Sequence, residues 1–221
     1  MDEVEQVRQA LGLNKENFYL LGQSWGGILA MEYAFEHQEN LKGLIISNMM
    51  SNVEAYNKYN KEVLAPALPP EVLDTIMYYE DREDYGNETY LSTIEEHYYT
   101  RHVLRAPVEE WPDAIIRTFT HLNPEVYVYM QGPSEFGLKG DATLKDWDVS
   151  EQLKTITVPT LTVGGKYDTM DPNHMLWMAS EIPNSKYLFC PNGSHLSQYD
   201  DMDNYWNGVI RFIESVEAGG L

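Results

Sequence analysis

Residues 18–34 read FYLLGQSWGGILAMEYA, with Gly22, Ser24 and Gly26 in the spacing Gly-x-Ser-x-Gly. The aromatic and aliphatic run before Gly22 is short and uniformly apolar, which marks a strand buried on both faces. From Gly26 to about His37 the apolar positions recur at helical spacing. A serine on the turn between such a strand and such a helix is presented with its oxygen outward, the arrangement called a nucleophile elbow. The corner is tight, so Gly22 and Gly26 are expected to let strand and helix approach. The helix N-terminus behind Ser24 favours developing negative charge, and the Trp25 backbone N–H is a candidate oxyanion donor.

Upstream, Asp2 is expected to cap a helix that carries Val4, Val7, Ala10 and Leu11 on one face and ends near Gly12. Downstream, LKGLIISN at residues 41–48 reads as a second buried strand. Strand, helix and strand within about 30 residues form a βαβ unit, whose two strands run parallel. From about Met49 to Thr143 the character changes. Helical runs around EVLDTIMYYEDRED, LSTIEEHYYTRHV and WPDAIIRTF appear, and no continuous β-branched run does. At Ile156 the alternation resumes, with ITVPTLTVGG and SKYLFCP as strands and PNHMLWMASEI and DNYWNGVIRFIESV as helices. The expected division is a first α/β core segment over 1–50, a helical cap over 51–143 and a second core segment over 144–221.

An elbow serine needs a base, and the base an orienting carboxylate, in the chain order Ser, acid, His. Asp168 follows the strand TLTVGG at its C-terminal end, where sites of α/β sheets gather. The neighbouring Asp171 precedes Pro172 and suits a helix N-cap, so the acid role goes to Asp168. His195 lies in PNGSHLSQ, the loop after the next strand, whereas the other five histidines fall on helices or in the insertion. No His, Cys or carboxylate spacing suggests a metal.

Composition narrows the class of partner. The 221 residues carry 15 Lys and Arg against 35 Asp and Glu, a formal charge of −20. That disfavours nucleic acid and anionic membranes, which attract basic patches. A single cysteine, Cys190, excludes an intramolecular disulfide framework and fits a reducing compartment. No apolar run is long enough to span a bilayer, and the acidic start MDEVEQV is unlike a signal peptide. A cytoplasmic protein is the expectation.

Four stretches, LLGQSWGGILAMEYA, VYVYMQGPSEFGLKG, LKDWDVSEQLKTITVPTLTVGGKYD and PNGSHLSQYDD, together resemble the proline iminopeptidase family of α/β-hydrolases. The resemblance spans nearly the whole chain. It implies an α/β-hydrolase fold with a helical cap, a serine acyl-enzyme mechanism and no cofactor. It assigns Ser24 as nucleophile, Asp168 as acid and His195 as base, in agreement with the reading above. It also implies that Glu135, in GPSEF, binds the substrate's free α-amino group, with Gln23 and Thr169 as further substrate-binding residues. Thr169 stands where family members carry a second glutamate, so the ammonium would lose one charge-assisted contact.

Family members place four strands before the elbow and supply a second oxyanion donor from an HGG-type loop, which does not occur in these 221 residues. The strand NFYLLG is therefore expected at a sheet edge with neither lysine nor proline to protect it, and to pair with a second copy in a dimer. The expected function is a serine hydrolase that releases N-terminal proline or another residue from small peptides, amino-acid amides or arylamides. Two alternatives stand beside it: a carboxylesterase on small activated esters, and a truncated non-catalytic relative acting as a binding or assembly module.

Overall fold

The computed structural model describes residues 1–137 and 139–220. The chain divides into two compact units, one formed by Met1–Ser51 with Val149–Leu221 and the other by Asn52–Asp148. In the first unit α1 (Asp2–Ala10) leads to β1 (Tyr19–Gln23), α2 (Trp25–His37) and β2 (Gly43–Ser47). Met1, not Asp2, occupies the N-cap of α1, and no side chain caps that end. Asp2, Glu3 and Glu5 instead crowd the first turn, where carboxylates complement the helix dipole. Glu5 binds Arg8 through both carboxylate oxygens and accepts the Tyr33 hydroxyl at 2.8 Å, which ties α1 to α2.

The Asn52–Asp148 unit is built of helices joined by turns and loops, and among its described residues the β pairing is a single bridge between Asn52 and Asp148. Its helices are α3 (Val53–Tyr59), α4 (Pro70–Glu80), α5 (Glu88–Ile94), α6 (Thr100–His102), α7 (Asp113–Thr120) and α8 (Pro124–Gln131). Turns with π geometry extend α3 and α5. Asn52, Asn87 and Asn123 cap α3, α5 and α8 by accepting backbone N–H groups of the first turn. The core is rich in tyrosine, with Tyr90 and Tyr98 packed beside Ile76, Ile94 and Phe136. A buried phenol needs a hydrogen-bond partner. Tyr90 finds one in the Glu80 carboxylate at 2.6 Å, and Lys139 pairs with the other oxygen of Glu80.

The chain then returns through β3 (Thr160–Gly165), α9 (Pro172–Glu181), β4 (Ser185–Cys190), α10 (Ser197–Asp200) and α11 (Met202–Glu217). The four strands are parallel in the order β1-β2-β3-β4. β3 begins four residues later than the run ITVPTLTVGG suggests, after Pro159, which has no N–H to give a ladder. β2 and β3 are buried at every position, as central strands must be. β1, despite an equally apolar composition, lies at the margin of the sheet with Leu21 39% exposed. The composition of β1 points to burial on both faces, whereas among the described residues it has a strand partner on one side only. Among the described residues no helix is long and apolar enough to cross a membrane.

Candidate active site

Ser24 joins β1 to α2 with φ 56° and ψ −129°, a backbone conformation that non-glycine residues rarely adopt. Its N–H donates to the Ser47 carbonyl of β2 at 3.0 Å, and its carbonyl accepts from Gly27 at 2.7 Å. These bonds hold the corner while the side chain projects from it. A Cβ on Gly22 would collide with the Gly26 carbonyl and the Ala30 side chain, so the strand-to-helix approach does require glycine there. Gly26 differs from expectation: a Cβ there would meet nothing within 4 Å. The second close approach belongs to Gly27, whose Cβ would press on Met49. Gly22→Ala is therefore expected to lower the unfolding midpoint by roughly 5–10 °C, the result of overpacking against rigid backbone. Gly26→Ala should leave it unchanged or slightly higher, because alanine is the better helix former. Thermal denaturation of both variants checks the contrast.

The turns after β1, β3 and β4 meet at this corner. The Ser24 hydroxyl lies 2.7 Å from His195 Nε2, and His195 Nδ1 lies 2.8 Å from Asp168 Oδ1. Asp168 is fully buried and His195 nearly so. The Met170 backbone N–H also donates to Asp168 Oδ1, at 3.1 Å. With a carboxylate against Nδ1, that nitrogen carries the proton and Nε2 accepts from the serine. This is the tautomer that allows the imidazole to act as a general base. Asp171 is occupied elsewhere: its carboxylate caps α9 by accepting the Asn173 N–H at 2.8 Å. Trp25 is the first residue of α2, next to Ser24, so its N–H has no intrahelical acceptor and is an orphan donor of the helix start.

Two residues expected at the substrate lie differently. Thr169 is fully buried, and its hydroxyl faces Asp168 Oδ1 at 3.4 Å and His195 Nδ1 at 3.3 Å. It lies against the Asp168–His195 pair and, buried, offers no surface to an amine. Gln23 donates its side-chain amide to the His195 carbonyl at 2.9 Å, which ties the end of β1 to the histidine loop.

Glu135 belongs to the Asn52–Asp148 unit and is only 8% exposed. Its Oε1 accepts the Tyr127 hydroxyl at 2.6 Å and the Gln131 side-chain amide at 2.8 Å. Its backbone is held as well, the carbonyl by the Tyr56 hydroxyl at 2.7 Å and the N–H by the Tyr99 hydroxyl at 3.2 Å. Burial, followed by the nearby Glu135 carboxylate, pushes the Tyr56 and Tyr127 hydroxyls well above the usual phenol range, so both stay protonated donors. The other carboxylate oxygen, Oε2, is buried and without a hydrogen-bond partner among the described residues. Such an oxygen is costly to leave bare, and a cationic donor is what would satisfy it. Tyr127 and Gln131 escaped the sequence reading. Their one signal is the four-residue spacing that puts both on one side of α8.

A family model described as the alpha/beta hydrolase fold matches residues 2–202. The chain is 49% identical over 216 residues to a proline iminopeptidase of Chitinophaga pinensis, a match covering 98% of this chain and 72% of that one. The chain belongs to the proline iminopeptidase family. The solved proline iminopeptidase of Mycobacterium smegmatis superposes with a TM-score of 0.83 at 28% identity, covering 99% of this chain and 71% of that one. The crystal structure of VinJ gives a TM-score of 0.89 at 29% identity, covering 97% and 71% of the two chains. The parallel sheet, the elbow serine and the two post-strand loops of this family member thus sit on an α/β-hydrolase framework.

Proposed function

We propose that this member of the proline iminopeptidase family releases N-terminal residues, proline foremost, from small peptides, amides or arylamides through an acyl-enzyme on Ser24. The hydrogen-bonded row from Ser24 through His195 to Asp168 carries the reading. Ser24 Oγ attacks the scissile carbonyl while His195 Nε2 takes its proton, and Asp168 stabilises the imidazolium that forms. The Trp25 N–H stabilises the developing oxyanion. His195 then gives the proton to the leaving amine. Water, deprotonated by the same nitrogen, releases the acyl group in the second half of the reaction. The bare Oε2 of Glu135 supplies the preference for a free α-ammonium, the group that distinguishes an N-terminal residue from any other acyl group.

The test is kcat/KM of the purified protein on prolyl- and alanyl-arylamides beside an aryl acetate, with fluorophosphonate labelling of Ser24. The arylamides with a free amine should be the better substrates relative to their N-acetylated forms. A preference for the acetate over every aminoacyl substrate would return the reading to a carboxylesterase. We read the compartment as the cytoplasm, which the single, buried cysteine supports.

A further inference from the structure

Asn48 follows β2, is fully buried, and has φ 53°, in the left-handed region that glycine adopts freely and asparagine tolerates. Its side-chain nitrogen donates to Asp168 Oδ2 at 2.7 Å and lies 3.1 Å from both the Ser194 carbonyl and the Ser197 hydroxyl. Its side-chain oxygen accepts from the Ser47 hydroxyl at 2.7 Å. Having given its one proton to Asn48, the Ser47 oxygen accepts from the Tyr205 hydroxyl of α11 at 2.9 Å. This chain of donors settles which way the amide points. Turned over, it would set a carbonyl oxygen against a buried carboxylate.

We propose that Asn48 is a positioning residue for the reaction, one amide clamping the acid loop and the histidine loop together. The two carboxylate oxygens of Asp168 have different duties. Oδ1 receives His195, with the Met170 N–H and the Thr169 hydroxyl beside it. Among the described residues Oδ2 accepts from Asn48 alone. Without that bond the carboxylate turns about its own axis, and Oδ1 leaves the line that orients the imidazole. The same amide reaches the Ser194 carbonyl, the residue before His195, so one group sets both halves of the pair. A shift of well under an ångström at a base is enough to slow proton transfer. The left-handed backbone adds a reason for asparagine in particular: glycine would suit the conformation but has no amide.

The inference rests on Ser24, His195 and Asp168 being the reacting residues, and the experiment separates the two. Aryl acetate hydrolysis is measured for the wild type, Ser24→Ala, Asn48→Gly and Asn48→Asp, with thermal unfolding of each. Asn48→Gly keeps the backbone conformation and loses the amide; Asn48→Asp keeps the size and loses the donor. Both should lower kcat by about 10- to 100-fold, what one charge-assisted hydrogen bond supplies, with KM within about twofold of the wild type. A residue needed only for its backbone conformation would leave Asn48→Gly at wild-type turnover, and that result, with Ser24→Ala inactive, overturns the role of Asn48 alone. A loss carried by KM instead of kcat overturns it equally. Should Asn48→Gly unfold at the assay temperature, Asn48→Asp decides on the same criterion. Undiminished activity in Ser24→Ala would remove the triad and this inference together.

Discussion

Ser24→Ala is expected to lower kcat by about 10⁶-fold on every substrate, and His195→Ala by a similar factor, because nucleophile and base act as one unit. The geometry is the reason. The serine oxygen has its base at 2.7 Å, and the imidazole is set by a buried carboxylate at 2.8 Å on the opposite nitrogen. Removing either end leaves only the oxyanion donor and binding to act on the barrier, so the double variant should be no slower than the single ones. Asp168→Asn should cost about 10⁴-fold, since an amide in that place favours the wrong tautomer of His195. Steady-state turnover with fluorophosphonate labelling checks all three. Wild-type rates in Asp168→Asn would hand the acid role to another residue, and Asp171 is a poor substitute while it caps α9.

Glu135→Gln carries the second large effect, and its selectivity matters more than its size. The substitution keeps the shape of the side chain and an acceptor for Tyr127 and Gln131. It removes the charge and places an N–H₂ group where Oε2 stood bare, which removes the proposed contact with an ammonium. kcat/KM for prolyl- and alanyl-arylamides should fall about 10- to 100-fold, the loss of one charge-assisted hydrogen bond. Turnover of an aryl acetate, which has no amine, should stay near wild type. Equal losses on both substrate classes would show that Glu135 supports the fold of its unit and not the recognition of an amine.

Much of the site was legible in the chain because it depends on local grammar. The corner at Ser24 needs a strand before it, a helix after it and glycine at 22, and all three are written within seventeen residues. Asp168 and His195 could be picked out because each follows a strand whose apolar run is itself readable. The helices α3 and α8 went unread: both are short, and α8 has no buried residue to give it a clear apolar stripe. The motif points to Gly26 and passes over Gly27. Only the position of Met49, on the chain segment after β2, decides which of them must lack a side chain.

The sequence alone determined the element order of the α/β core, the helical character of the insertion, and the identity of the three residues that meet at the elbow. Periodicity and turn chemistry act over a few residues, and these features need nothing longer. Tertiary structure alone decided the rest. It buried Thr169 against the imidazole and turned Gln23 toward the histidine loop. It left one oxygen of Glu135 bare, and it brought the amide of Asn48 to a carboxylate 120 residues away. Each of these is a hydrogen bond or a burial set by chain segments far apart in sequence, and no local pattern encodes a partner that only folding brings within 3 Å.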